Sequence, residues 1–160
     1  MTLTPPLPSE LIAETESSYL YPSCLRPADR VSVFALTPAQ KVVFLQADVA
    51  GQVELPQGCI LAQDATPLEA AKRELLVQTG YQASKFLKTA VLRYSPLEGN
   101  ALNYCFLAIE AYPKNKARGV VEYEVGQMRE LIAQDALRYP ADIAIICSAI
   151  EKIKDKISLK

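Results

Sequence analysis

The 160 residues contain no histidine. That absence excludes Ser-His-Asp and Cys-His nucleophilic catalysis, and every metal centre that relies on imidazole. The four cysteines, Cys24, Cys59, Cys105 and Cys147, lie too far apart for a CxxC redox pair or a zinc knuckle. They are also too sparse for a disulfide framework, so they read as reduced, mostly buried small hydrophobes. Charge of one sign is lacking as well: 17 Lys and Arg against 18 Asp and Glu leave a net of −1. Such a chain has no global field to hold nucleic acid or an anionic membrane, and neither partner is expected. The longest apolar run, about Ile143 to Ile150, is broken by Ser148. It falls far short of the roughly 20 residues that span a bilayer. The N-terminal MTLTPPLPSE has no basic region leading into an apolar stretch. No secretory signal is expected, and the protein reads as cytoplasmic.

What is present is the composition of one globular domain. Half of the residues are apolar and 22% are charged, enough to bury a core. Residues 1–27 hold five of the eleven prolines and read as an irregular arm. Residues 28–160 read as the domain. Val31–Leu36 and Lys41–Ala47 predict a hairpin around Pro38. Gln52–Leu55 is a short strand, and the stretch from there to Asp64 reads as a loop. A helix over Pro67–Thr79 carries clear boundary signals. Thr66 is the N-cap, Pro67 the first helical residue, Glu69 the capping-box partner and Gly80 the left-handed terminator. Phe86–Tyr94 and Asn103–Ala111 predict two strands joined by the turn SPLEGN. A short strand over Val120–Val125 and a short helix over Gln127–Gln134 follow. The last helix, Asp142–Lys156, shows an isoleucine stripe at Ile143, Ile146, Ile150, Ile153 and Ile157. The order of elements predicts an α+β fold with helices packed on both sides of a mixed β-sheet.

The segment Glu54–Tyr81, ELPQGCILAQDATPLEAAKRELLVQTGY, carries the most information. With Arg73-Glu74 as the anchor it resembles the Nudix box. Arg73, Glu74, Leu75 and Gly80 match the family pattern, Tyr81 fills its final aliphatic place, and ELPxG leads into it. The resemblance covers roughly residues 28–156 and points to the ADP-ribose pyrophosphatase-like branch. It implies the Nudix fold and, in active members, hydrolysis of nucleoside diphosphate-linked compounds with Mg2+ or Mn2+.

The departures are as specific as the matches. Cys59 replaces the first glycine of the box, Ala65 its first glutamate, and Val77 and Gln78 its Glu-Glu pair. Glu74 and Gln78 are four apart and share one helix face. In active members carboxylates on that face gather magnesium, which prefers hard anionic oxygen ligands. Here Glu74 is the one anionic ligand left in the box.

By resemblance, Arg73 and Glu74 are the catalytic candidates, with Arg73 orienting Glu74. Glu74, Gln78 and Glu98 are the metal-ligand candidates, and Asp64, Glu122 and Glu124 are carboxylates that could compensate. Glu69 reads instead as the cap partner and an ion pair with Arg73. Substrate-side candidates are Glu54 and Gly58 in the leading ELPxG, and Tyr94 and Tyr104, whose rings could stack on a base. Half-buried packing is the competing reading for both tyrosines. The isoleucine stripe packs on the sheet or forms a homodimer face. Lys114–Arg118 reads as a solvated loop. The carboxylate count favours a noncatalytic or very weakly active Nudix-fold protein that binds a nucleotide-type small molecule or a protein partner. The alternative is a metal-dependent hydrolase of ADP-ribose-like compounds.

Overall fold

A computed structural model describes residues 29–93 and 101–158, with side chains to Lys156. The arm expected over residues 1–27, the SPLEGN turn, Tyr94 and Glu98 lie outside the described residues.

The centre of the molecule is β1, Arg30–Leu36, buried at all seven positions. A strand covered on both faces needs apolar residues on both, which is why RVSVFAL does not alternate. Its odd-numbered residues Val31, Val33 and Ala35 join one core cluster. Phe34 and Leu36 point the other way, into a second. On one side β1 pairs antiparallel with β2, Lys41–Gln46. On the other it pairs parallel with β7, Leu102–Ile109, over seven residue pairs from Arg30↔Asn103 to Leu36↔Ile109. The one polar pair inside this ladder satisfies itself: the Asn103 amide donates to Ser32 Oγ at 2.9 Å. Strands β3 (Val53–Glu54) and β6 (Lys85–Arg93) extend the path to β3-β2-β1-β7-β6. β4 (Gln57–Cys59) adds to β1, and β9 (Val120–Glu124) to β2. β5 (Tyr81–Gln82) and β8 (Tyr112–Pro113) form a separate small ribbon.

Helix α1, Pro67–Thr79, covers one face of the sheet through Ala70, Ala71 and Leu75. Its cap residues are the expected ones, but the reciprocal half of the capping box is absent, because the Glu69 side chain pairs with Lys72. Thr66 Oγ1 accepts from Glu69 N at 3.2 Å, and Gly80 closes the helix at φ +75. A side chain at Gly80 would also strike the backbone of Asn115, so both conformation and space require glycine there. The other face is covered by α2 (Met128–Ala133), which follows a 3-10 turn at Val125–Gln127, and by α3 (Pro140–Ser158). The expected α+β architecture, a mixed sheet between helices, is the one observed.

Several expectations need correction. The stretch read as a loop after Leu55 contains β4, because β1 offers it an open edge: Arg30↔Cys59, Val31↔Gly58 and Ser32↔Gln57 pair, and Val33 N donates to Pro56 O at 2.9 Å. The last helix begins at Pro140, and Ile146, Ile150 and Ile153 of the expected stripe pack on the core while the buried face extends to Ile145 and Ala149. Ile145, Ile146 and Ala149 are fully buried, whereas Ile143 is 39% exposed and Cys147 faces solvent. Several phases fit a sequence this rich in isoleucine, and the sheet selected one. Cys59 is disulfide-bonded rather than reduced. Sparse cysteines argue against a framework but not against a single bridge.

The buried face also takes in Asp142, in the first turn of the helix, fully excluded from solvent. Its Oδ2 accepts from Leu55 N at 3.2 Å, while Oδ1 has no partner. Burial pushes this carboxyl up to about 7, and Glu54 adds to the rise. Asp142 in turn helps burial raise the Cys105 thiol to about 12. A carboxyl raised in the folded state binds a proton on folding between its two pKa values. The stability it permits is therefore complete below about pH 4 and is lost as pH rises through about 7. Asp142→Asn keeps the acceptor without the charge. The variant is expected to match the wild type in urea near pH 4 and to exceed it at pH 8, by on the order of 3 kcal/mol. Equal gaps between the two at both pH values would contradict this.

Candidate functional site

The candidate residues meet where the β3–β4 segment crosses the buried edge of α1. Four-residue spacing stacks Glu74 and Gln78 on one helix face, and β4 runs past that face because it is paired to β1. Gly58 makes the crossing possible. A Cβ at Gly58 would fall on the Glu74 carboxyl group, so the backbone and the carboxylate share the space that a side chain would take.

Arg73 is the hub. Its Nε donates to Asp64 Oδ1 at 3.0 Å and its Nη2 to Asp64 Oδ2 at 2.7 Å, a two-pronged pairing. Nη2 also reaches the carbonyl of Cys59 at 2.9 Å, and Nη1 donates to Glu74 Oε1 at 2.5 Å. The carboxylates are well shielded, with 5% of the Asp64 side chain exposed and 12% of the Glu74 side chain. Hydrogen bonds from Arg73, with a further one from Leu61 N, hold Asp64 below the ordinary carboxylate range. The Asp64 partnership in turn raises the guanidinium of Arg73, which stays charged throughout.

Gln78 completes the junction. Its Nε2 donates to Glu74 Oε2 at 2.5 Å and to the carbonyl of Gln57 at 2.5 Å. Its Oε1 accepts from Gln57 N at a long 3.4 Å. The side-chain amide thus pairs with the main-chain amide of β4 as a neighbouring strand would. Both Glu74 oxygens are engaged, one by Arg73 and one by Gln78.

Arg73, Glu74, Gln78 and Gly58, singled out from the sequence, are brought together here. Asp64 reaches in as well, but to Arg73. Glu69 instead pairs with Lys72 at 3.3 Å, so the expected Glu69–Arg73 pair is absent: Asp64 outcompetes it with better geometry and deeper burial. Glu54 turns to Arg138 at 3.7 Å, with burial raising its pKa and Arg138 opposing the rise. Tyr104 is half-buried against the α1 side of the sheet. Glu122 is also taken, as the acceptor of Tyr81 Oη at 2.5 Å, and burial together with that bond raises the phenol. Glu124 lies near Lys41, at 3.9 Å. Val77 is 70% exposed. It lines a groove of about 540 Å³ on the outer side of α1 with Leu76, Phe86 and Tyr112; Glu74 and Gln78 are not part of that lining.

The divalent cation implied by the resemblance does not fit this donor set. Val77 is hydrocarbon, Gln78 presents its donor nitrogen to Glu74, and Glu74 has no oxygen without a partner. Among the described residues, no group of three or more His, Cys, Asp or Glu could hold a metal ion.

Comparison with solved structures places the chain in a fold class. It superposes on a protein titled "Crystal structure of ADP compounds hydrolase" with a TM-score of 0.68 and 16% identity, covering 80% of this chain and 74% of that one. The chain has the Nudix fold, a mixed sheet between helices. No protein-family model matches the sequence, and no curated protein matches it. Among the described residues no helix is long and apolar enough to cross a membrane.

Gly58→Ala is expected to destabilise the fold by about 1–3 kcal/mol, the cost of overpacking. In the background of Glu74→Ala the same change should cost distinctly less, because the clash partner is gone. Additive losses in chemical denaturation would show that the two residues do not meet.

Proposed function

We propose that this is a Nudix-fold protein with a degenerate box, noncatalytic or very weakly active, that binds a nucleoside diphosphate-linked compound. The observation that carries the reading is the state of Glu74. In the box it is the remaining anionic ligand, and both of its oxygens accept hydrogen bonds from the protein's own side chains. Freeing them for a cation means breaking charge-assisted bonds in a shielded site, each worth about 1.5–3 kcal/mol. Asp64 does not compensate, since Arg73 holds both of its oxygens.

The ligand class is proposed from the fold neighbour, whose title names ADP compounds. Substrate-side roles for Glu54, Gly58, Tyr94 and Tyr104 belong to the same proposal. Glu54 and Tyr104 are strand residues of the main sheet, in β3 and β7.

The test is direct. ADP-ribose incubated with the protein and excess Mg2+ or Mn2+ is expected to yield no AMP above a protein-free control. Calorimetric titration of ADP-ribose should give the same affinity in EDTA as in Mg2+. AMP release that disappears in Glu74→Gln would overturn the noncatalytic reading. Absence of binding under both conditions would overturn the assigned ligand class.

A further inference from the structure

We infer that the side-chain amide of Gln78 takes the place of a cation, clasping the β3–β4 segment to α1 without metal. The inference deepens the noncatalytic reading and rests on it. Two acceptors converge on one point: the carbonyl of Gln57 and Oε2 of Glu74, each 2.5 Å from Gln78 Nε2. Two oxygens with no hydrogens of their own require something positive between them. An NH2 group supplies it, with one hydrogen for each acceptor. A carboxylate at this position would put a third acceptor among them, and a cation would then be needed to hold the cluster.

The opposite orientation of the Gln78 amide is excluded by the same chemistry. Turning it would aim Oε1 at both acceptors and set Nε2 against Gln57 N, itself a donor. The clasp is anchored on both sides. Arg73 fixes the other Glu74 oxygen, and β4 is held to β1 through Gln57↔Ser32 and Gly58↔Val31. Leu55, two residues before Gln57, is held in turn by Asp142 on α3. The segment is held to α1 by contacts that folding alone supplies.

The test is thermal unfolding of the nucleotide-free protein in EDTA and in excess Mg2+ or Mn2+. Wild type is expected to show one Tm in all three. Gln78→Glu removes the bridging donor and adds a like charge beside Glu74. Its Tm should fall by about 5 °C or more in EDTA and recover in Mg2+ or Mn2+. Gln78→Leu should be lowered equally in every condition, which separates loss of packing from recruitment of a cation. If Gln78→Glu does not fold in EDTA, it should refold when Mn2+ is added.

The inference is overturned if the wild-type Tm rises with Mg2+ and Gln78→Leu loses that rise. It is also overturned if Gln78→Glu matches the wild type in EDTA, or fails to respond to either metal. A second readout uses wild type alone. The Gln78 side-chain amide resonances should be protected from exchange and not broadened by Mn2+; selective broadening there contradicts the clasp. These readouts contain no nucleotide, so they are independent of hydrolysis. AMP release with the expected thermal pattern would sink the noncatalytic reading and leave the clasp standing.

Discussion

The Glu74 carboxylate cannot be left alone. It is nearly buried, it carries a charge, and the backbone of Gly58 passes directly over it. A buried charge is costly unless its oxygens find donors, and here each oxygen has one. That requirement organises the surrounding structure. Arg73 must lie alongside, Asp64 must hold Arg73, Gln78 must turn inward, and residue 58 must lack a side chain. The β3–β4 segment then runs against α1 closely enough for Gln57 to pair with Gln78. The two faces of the fold are linked through this segment, since the residue before Pro56 hydrogen-bonds to Asp142 on the opposite side of the sheet.

A hydrolase of this fold needs anionic oxygens directed outward, at a ligand. In this chain the same helix face is directed inward, at the protein. Val77 and Gln78 take different places in this arrangement. Gln78 donates to Glu74 and to the Gln57 carbonyl and closes the junction. Val77 stands outside the polar network and lines a groove of mixed polarity on the outer side of α1. The fold leaves the chemistry open, since function resides in the site rather than in the architecture.

Much of this was legible in the sequence. The helix at Pro67–Thr79 announces itself through Thr66, Pro67 and Gly80, because capping and turn chemistry are local. β1, β2 and β7 are long apolar runs with few alternative pairings. Arg73, Glu74, Gln78 and Gly58 stand out because a motif fixes their spacing. What was not legible depends on partners distant in the chain. β4 has only Gln, Gly and Cys, and it is a strand because β1 has an edge to offer. β5 and β8, two residues each, exist through one another. The phase of α3 was ambiguous among its isoleucines, and with it the burial of Asp142. The choice of Arg73 for Asp64 over Glu69 turns on burial, which a helical-wheel argument does not see. The inward turn of Gln78 had one available signal: a Glu and a Gln four apart on a helix are positioned to hydrogen-bond.

The junction depends most on Glu74 being held by the protein rather than by a cation. The direct measurement is a crystal structure of the protein grown in excess Mn2+, with anomalous scattering used to locate the metal. The predicted result is no anomalous peak within about 2.5 Å of Glu74, with the Gln78 amide still between Glu74 and the Gln57 carbonyl. A manganese ion bonded to a Glu74 oxygen, with Gln78 displaced, would contradict it.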